Sequence, residues 1–261
     1  MDAINKTMYI PLYGKAYVSQ RGLFIQDKTA EEIWQKEGFL LTGKAKSKWL
    51  AYTMGIRAAV FDRWTENMLV QNPGAVVLHL GCGLDSRARR VKQQTGDWYD
   101  VDFPAVIAER ERYFAETEEY HMLGADLRQM KWLDQVEDTQ TAIVVMEGVS
   151  MYLQMQELQA LMKRLGDRFR RIHLLMDTYT AFAAKASRYK NPIKTVGVSA
   201  VYGFDRPEEA AQTGRLRYVR ELDLAPEDMI LQLPKGEQGF FRTVFAGKTA
   251  KKIYRLYAYE A

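Results

Sequence analysis

Ala75-Val76-Val77-Leu78-His79-Leu80-Gly81-Cys82-Gly83-Leu84-Asp85-Ser86-Arg87 is a β-branched apolar run that ends in Gly-x-Gly and passes into a helical stretch, Arg87 to Gln94. Run, turn and helix read as the first strand, turn and helix of a doubly wound α/β domain. At the carboxyl end of such a strand a ligand lies against backbone, and a side chain at Gly81 or Gly83 would hold it off. Asp102, 19 positions after Gly83 in Trp98-Tyr99-Asp100-Val101-Asp102-Phe103-Pro104, falls where a second strand should end. A carboxylate there can accept from both hydroxyls of a ribose, so the two signals together point to a nucleotide-type cofactor. The competing reading of Asp102 is a helix N-cap, because Pro104 suits a first helical position.

The third glycine position separates the cofactors. A dinucleotide turn needs Gly-x-Gly-x-x-Gly so that the helix start closes on a pyrophosphate, and here that position is Ser86. S-adenosylmethionine has the adenosine but no phosphate, and needs only the acid and the close backbone approach. It fits this turn better than NAD does.

Composition bounds the remaining classes. The 261 residues, 47% apolar, suit one large α/β domain or a domain with a cap. A net charge of +4, from 37 basic and 33 acidic residues, is too balanced to imply nucleic acid or an anionic membrane as partner. Arg87-Ala88-Arg89-Arg90 and Arg168-Phe169-Arg170-Arg171 are interrupted basic runs that read as solvated faces. Cys82 is the sole cysteine, which excludes an internal disulfide and a cysteine-based zinc cluster, and His79, His121 and His173 lack metal-ligand spacing, so no metal is expected. With no signal-like or membrane-spanning run, the expected location is cytoplasmic.

Several blocks together resemble the leucine carboxyl methyltransferases and the related bacterial polyketide O-methyltransferases. They are Gly14-Lys15-Ala16-Tyr17, the helix containing Arg57, the Leu80 to Arg87 turn, Asp100-Val101-Asp102-Phe103-Pro104, Gly124-Ala125-Asp126-Leu127-Arg128 and Glu147-Gly148-Val149-Ser150-Met151-Tyr152-Leu153. Ser86 stands where the family usually has Thr, and no block after Asp177 matches. The resemblance implies a class I S-adenosylmethionine-dependent methyltransferase: a doubly wound, mostly parallel, seven-stranded Rossmann-like sheet. It also implies roles: Asp102 on the ribose, Asp126 and the Leu127 amide at the adenine, Glu147 at the methionine amino group, and Arg57 and Lys15 at its carboxylate. Gly81 and Gly83 complete the expected cofactor set.

The pattern along the chain supplies the rest. Thr29-Ala30-Glu31-Glu32 reads as a capping box for a helix to about Glu37, while residues 1–26 show no clear period. A helix over about 48–71 puts Trp49, Tyr52, Ile56, Ala59, Val60 and Trp64 on one face, so residues 1–73 read as an N-terminal helical cap. Residues 74–261 then form the cofactor-binding domain. Strands are expected near 75–80, 98–102, 119–123, 141–146, 171–176, 215–222 and 253–259, with helices near 86–94, 104–116 and 156–166. Residues 239–252 read equally as helix or strand. Residues 178–214, rich in aromatics, glycines and small residues, are expected as a lid insertion whose Tyr179, Tyr202 and Phe204 bind substrate.

Other polar residues near the turn have plainer readings. Asp85 reads as a helix cap or as an indirect contact to the aminoacyl end, and His79 and Cys82 read as packing residues. No catalytic base is identifiable. The expected activity is methyl transfer to a carboxylate or hydroxyl of a small molecule, with a protein substrate possible. The alternatives are a nicotinamide-dependent oxidoreductase and a non-catalytic S-adenosylmethionine-binding protein.

Overall fold

The computed structural model describes residues 5–38, 41, 43–92, 96–187 and 201–261. The helix expected over 86–94 already ends at Arg90, where Val91 is extended; positions 93 and 94 and the middle of the expected lid, 188–200, lie outside the described residues. Seven strands form one sheet: β1 (Val76–Leu80), β2 (Trp98–Asp102), β3 (Tyr120–Gly124), β4 (Thr141–Met146), β5 (Arg171–Tyr179), β6 (Arg217–Glu221) and β7 (Tyr254–Glu260). Their order across the sheet is β3-β2-β1-β4-β5-β7-β6. The first five are parallel, while β7 runs antiparallel between β5 and β6. The order reverses between β1 and β4, and the crevice at their carboxyl ends is where open α/β sheets bind ligands.

The central strands are apolar on both faces because both are covered. Val76, Leu78, Val144 and Leu174 pack with Leu158, Leu161, Met162 and Leu165 of α6 (Met155–Arg168). Val77, Ile143, Val145, Leu175 and Leu256 face the other way, onto Ile56, Ala59, Val60 and Trp64 of α3 (Lys48–Gln71). Strands buried this way read as unbroken apolar runs, which is why they were legible. The expected face of α3 is thus applied to the sheet itself.

Two further helices precede α3: α1 (Tyr9–Ser19) and α2 (Lys28–Glu37). The sequence shows no period over α1 because most of its circumference is buried, Leu12, Tyr13, Lys15, Ala16 and Val18 among it. α2 starts on Asp27, whose carboxylate accepts from the Ala30 amide at 2.9 Å, and not on Thr29 as expected. α1 and α3 cross closely. A Cβ on Gly14 would lie 2.5 Å from Met54 Cβ, and one on Gly55 would lie 2.6 Å from Val18 Cγ2. Only glycines at these two positions allow this approach, which brings Lys15 and Arg57 to the same end of the sheet.

The shorter helices are α4 (Arg87–Arg90), α5 (Pro104–Arg110), α7 (Ala181–Ser187), α8 (Glu227–Ile230), α9 (Lys235–Phe241) and α10 (Lys248–Lys251). α5 stops at Arg110, short of the expected 116, where Arg110 turns inward to the buried Asp100. The ambiguous stretch 239–252 is helical, with Arg242–Ala246 forming a π turn between α9 and α10. β5 runs three residues beyond its expected end, to Tyr179, where it bridges Gly203. No helix among the described residues is long and apolar enough to cross a membrane.

Candidate active site

A cavity of about 590 Å³ opens at the carboxyl ends of β1, β2 and β4. Lys15, Arg57, Gly81, Gly83, Asp102, Asp126, Leu127, Glu147 and Tyr179 all line it. Tyr202 and Phe204 do not. Phe204 is buried in the sheet core with its ring 6.0 Å from Tyr257, and Tyr202 is partly exposed with its amide on the Met151 carbonyl. The expectation that Phe204 binds substrate is corrected: the Tyr179–Gly203 bridge ties this segment to the end of β5, which points Phe204 into the core.

The turn after β1 is built for backbone approach. Gly81 and Gly83 have φ of +67° and +54°, a region L side chains rarely adopt. A Cβ on Gly81 would also lie 2.3 Å from Val149 Cγ2. The Gly81 amide donates to the Val101 carbonyl at 2.7 Å, and the Gly83 amide donates to Asp102 Oδ2 at 2.8 Å. The Phe103 amide donates to Asp102 Oδ1 at 2.7 Å. Each carboxylate oxygen therefore keeps a lone pair for a ligand hydroxyl. The N-cap of α5 is Phe103, with no side-chain cap, so Asp102 is not the cap that Pro104 suggested. Burial pushes the Asp102 pKa up, against the pull of the two amides and Arg110.

Beneath this turn lies a buried ion network. Lys15 Nζ is 2.9 Å from Asp85 Oδ2, and Arg90 reaches Asp85, Asp62 and Asp27 at 2.8, 2.8 and 2.5 Å. Arg87, fully buried, pairs with Asp62 at 2.7 Å and with Glu147. Asp85 is thus an ionic anchor for Lys15 and not a helix cap; Ser86 holds the N-cap position of α4. His79 lies between Asp100 on Nδ1 at 2.9 Å and Arg87 on Nε2 at 3.2 Å. A guanidinium only donates, so Nε2 accepts and Nδ1 carries the proton. Burial opposes the charge of Glu147, but Arg57 and Arg87 outweigh it and hold its pKa down to about 2.

Arg57 links the two ends of the cavity. Its Nε donates to Glu147 Oε1 at 3.0 Å, and its Nη1 donates to Tyr254 Oη at 2.9 Å and lies 3.2 Å from Asp177 Oδ2. Tyr254 and Asp177 were not singled out from sequence. Asp126 is engaged as well: it accepts from Arg128 Nε at 2.8 Å and Nη2 at 2.5 Å. The far wall, formed by Leu224, Val244, Phe245, Thr249, Ala250 and Ile253, comes from the loop after β6 and from the α9–α10 region. The one available signal for it was the helix-or-strand ambiguity of 239–252, since π turns gather at functional sites.

The residues fit S-adenosylmethionine. A backbone cradle that any Cβ at Gly81 would fill sits beside a carboxylate with free lone pairs, and a lysine, an arginine and a glutamate meet where an amino acid group needs both charges.

Comparison with known proteins agrees. The leucine carboxyl methyltransferase family profile matches residues 10–166, more than half of the chain. The tetracenomycin polyketide synthesis O-methyltransferase TcmP of Streptomyces glaucescens is 29% identical over 209 residues, covering 79% of this chain and 77% of that protein. The S-adenosyl-L-methionine-dependent methyltransferase dpfgK of Gibberella zeae is 28% identical over 181 residues, 64% of this chain and 61% of its own. Among solved structures, magnesium protoporphyrin IX methyltransferase (ChlM) from Synechocystis PCC 6803 with bound SAH aligns at a TM-score of 0.53 and 13% identity, covering 90% and 94% of the two chains. A methyltransferase described as putative, from Thermobifida fusca YX, aligns at 0.54 and 14%, covering 84% and 88%. These two share the fold. The sheet order, the Gly81 to Asp102 cradle and the profile match give one conclusion: the chain belongs to the leucine carboxyl methyltransferase family and is an S-adenosylmethionine-dependent methyltransferase.

Proposed function

We propose that this methyltransferase transfers the methyl group to an oxygen, carboxylate or hydroxyl, of a small molecule. The observation that carries the reading is the shape of the cavity, whose charged half around Asp102, Lys15 and Glu147 runs into an apolar half walled by Met151, Tyr179, Val244, Phe245 and Ile253. The likeness to TcmP, a polyketide O-methyltransferase by its description, supports an oxygen acceptor.

In this reading Asp102 holds the ribose, Asp126 and the Leu127 amide hold the adenine, Lys15 and Arg57 hold the methionine carboxylate, and Glu147 holds its amino group. Asp126 exchanges its half-exposed Arg128 partner for the base, at small cost because exposed pairs are worth about 0–1 kcal/mol. When bound, S-adenosylmethionine supplies a methyl group made electrophilic by its sulfonium. The apolar walls exclude water and align the acceptor oxygen with that methyl for an in-line displacement.

The test is release of S-adenosylhomocysteine with two acceptor sets, aromatic hydroxy and carboxy compounds and a peptide ending in leucine. Turnover confined to the small molecules is the expected result. Turnover confined to the peptide overturns the reading in favour of a protein acceptor.

A further inference from the structure

The apolar half of the cavity is divided from a second void by a single layer of side chains. The second void, about 10 Å³ and close to the space of one water, lies between β6, β7 and α10, with Leu222, Ala246 and Leu256 in its lining. Leu224, Phe245, Ala250 and Tyr254 line both cavities and so stand between them. Tyr254 is fixed there by polar bonds, its hydroxyl 2.9 Å from Arg57 Nη1 and 2.6 Å from Asp177 Oδ2. Phe245 has no polar atom and is held by near-parallel rings, Phe241 at 5.3 Å and 26° and Trp49 at 6.0 Å and 13°.

The backbone explains why Phe245 reaches the cavity. It sits in the π turn Arg242–Ala246, whose wider turn holds one residue more than an α-helical one and bulges from the end of α9. Val244 and Ile253, also on the cavity wall, are 39% and 44% exposed, which places them at its mouth. Phe245 is half-buried, further in. A molecule entering past Val244 and Ile253 has the Phe245 ring as part of the wall between it and the second void.

We propose that Phe245 sets the length of acceptor the site takes, by closing the apolar half against the void behind it. This rests on the small-molecule reading above. A shorter side chain at 245 joins the two cavities, and the depth gained is apolar, with the Lys251–Asp223 and Arg255–Glu221 pairs, 2.9 Å each, at its outer edge. Length is a steep discriminator in such a pocket: one methylene accepted or refused is worth about 10–200-fold. The competing role is packing, in which Phe245 serves only to hold α9 to α3 through Phe241 and Trp49. Packing predicts lower stability in every variant with no change in the lengths accepted. A length-setting wall predicts opposite shifts for smaller and larger side chains.

Calorimetry on the S-adenosylhomocysteine complex separates the two, using linear aromatic probes of one, two and three rings, each as carboxylate and as hydroxy compound: benzoate and phenol, 2-naphthoate and 2-naphthol, anthracene-2-carboxylate and 2-anthrol. Phe245→Ala should raise the affinity for three rings relative to one ring by about 10-fold over the wild-type protein, and Phe245→Trp should lower that ratio. Phe245→Leu keeps an apolar side chain among the rings and should move the ratio as alanine does, by a smaller factor, which preserves the test if the alanine variant does not fold. S-adenosylhomocysteine affinity should stay within about 3-fold throughout. A ratio unmoved in the leucine and tryptophan variants, or moved the same way in both, overturns the proposal and leaves the small-molecule reading standing. So does a variant that loses S-adenosylhomocysteine as strongly as the three-ring probes. Binding of no probe by the wild-type complex overturns the small-molecule reading, and this proposal with it.

Discussion

The Gly83 amide donates to the carboxylate of Asp102 over 2.8 Å, so the turn after β1 and the end of β2 are joined into one ligand-facing edge. Removing the carboxylate therefore does two things: it takes away the acceptors proposed for the ribose and leaves the Gly83 and Phe103 amides without theirs. Asp102→Ala should weaken S-adenosylhomocysteine binding by about 2–4 kcal/mol, since charge-assisted bonds are worth about 1.5–3 kcal/mol each. Calorimetry measures the loss, and circular dichroism should show an intact fold. Unchanged affinity would remove Asp102 from the site.

Gly81 faces both a steric and a conformational limit. Gly81→Ala puts a methyl into Val149 and forces an L residue to a φ of +67°. Adding Val149→Ala clears the methyl but leaves the backbone strain of about 1–2 kcal/mol. The double variant should recover part of the cofactor affinity lost by Gly81→Ala alone. Full recovery would show that the conformation was not a constraint.

Arg57 is held by a fork that lysine cannot reproduce, with Nε on Glu147 and Nη1 on Tyr254. Arg57→Lys should weaken S-adenosylhomocysteine binding, and Arg57→Met should weaken it further. Arg57→Met should also lower stability by about 3–5 kcal/mol, because Glu147 and Asp177 lose a buried partner. Binding of 5′-methylthioadenosine, which has no amino acid end, is the control. If it weakens equally, Arg57 supports the fold and the carboxylate partner is Lys15.

Acid sensitivity follows from the network. The Glu147 pKa is about 2 against an ordinary 4.5, and Asp100, where Arg110 and His79 outweigh burial, is also held to about 2 against 3.8. A carboxylate whose folded pKa is depressed contributes stability that is full above its unfolded pKa and is lost as pH falls through the folded one. Stability should therefore fall steeply between about pH 4.5 and 2. Asp102 and Asp177, shifted upward by burial, offset part of this. Urea denaturation across that window should give a shallower slope for Glu147→Gln than for the wild-type protein. An equal slope would place the acid lability elsewhere.

The strands and the cofactor edge were legible because their signals are local. An apolar run ending in Gly-x-Gly, followed at the right distance by an acid, states its geometry within about 30 residues. The missing third glycine at Ser86 correctly favoured S-adenosylmethionine over the nicotinamide alternative. The end of the cavity around Arg57, Asp177 and Tyr254 was not legible, because it is assembled from distant pieces. Arg57, Asp177 and Tyr254 meet only when α3, β5 and β7 are in place, and no spacing in the chain records that meeting. Tyr202 and Phe204 show the converse: aromatics among small residues look like a substrate lid, yet Phe204 is core. Asp85 looked like a cap because Ser86 follows it, while its partner Lys15 lies on a helix whose all-round burial hid its period.

β7 enters the sheet between two strands that precede it in the chain, and this sets the order in which the molecule can be finished. Asp177 and Tyr254 are 77 residues apart, so bringing them together closes a long loop, which is slow relative to the local β-α pairings. Until β7 docks, β5 keeps an open edge, and Asp177 has neither Tyr254 nor a closed wall around it. The Gly83–Asp102 edge, by contrast, joins residues only 19 apart. Folding should therefore form the β1–β2 edge before the Asp177–Tyr254 pair, with β7 insertion as the committing step.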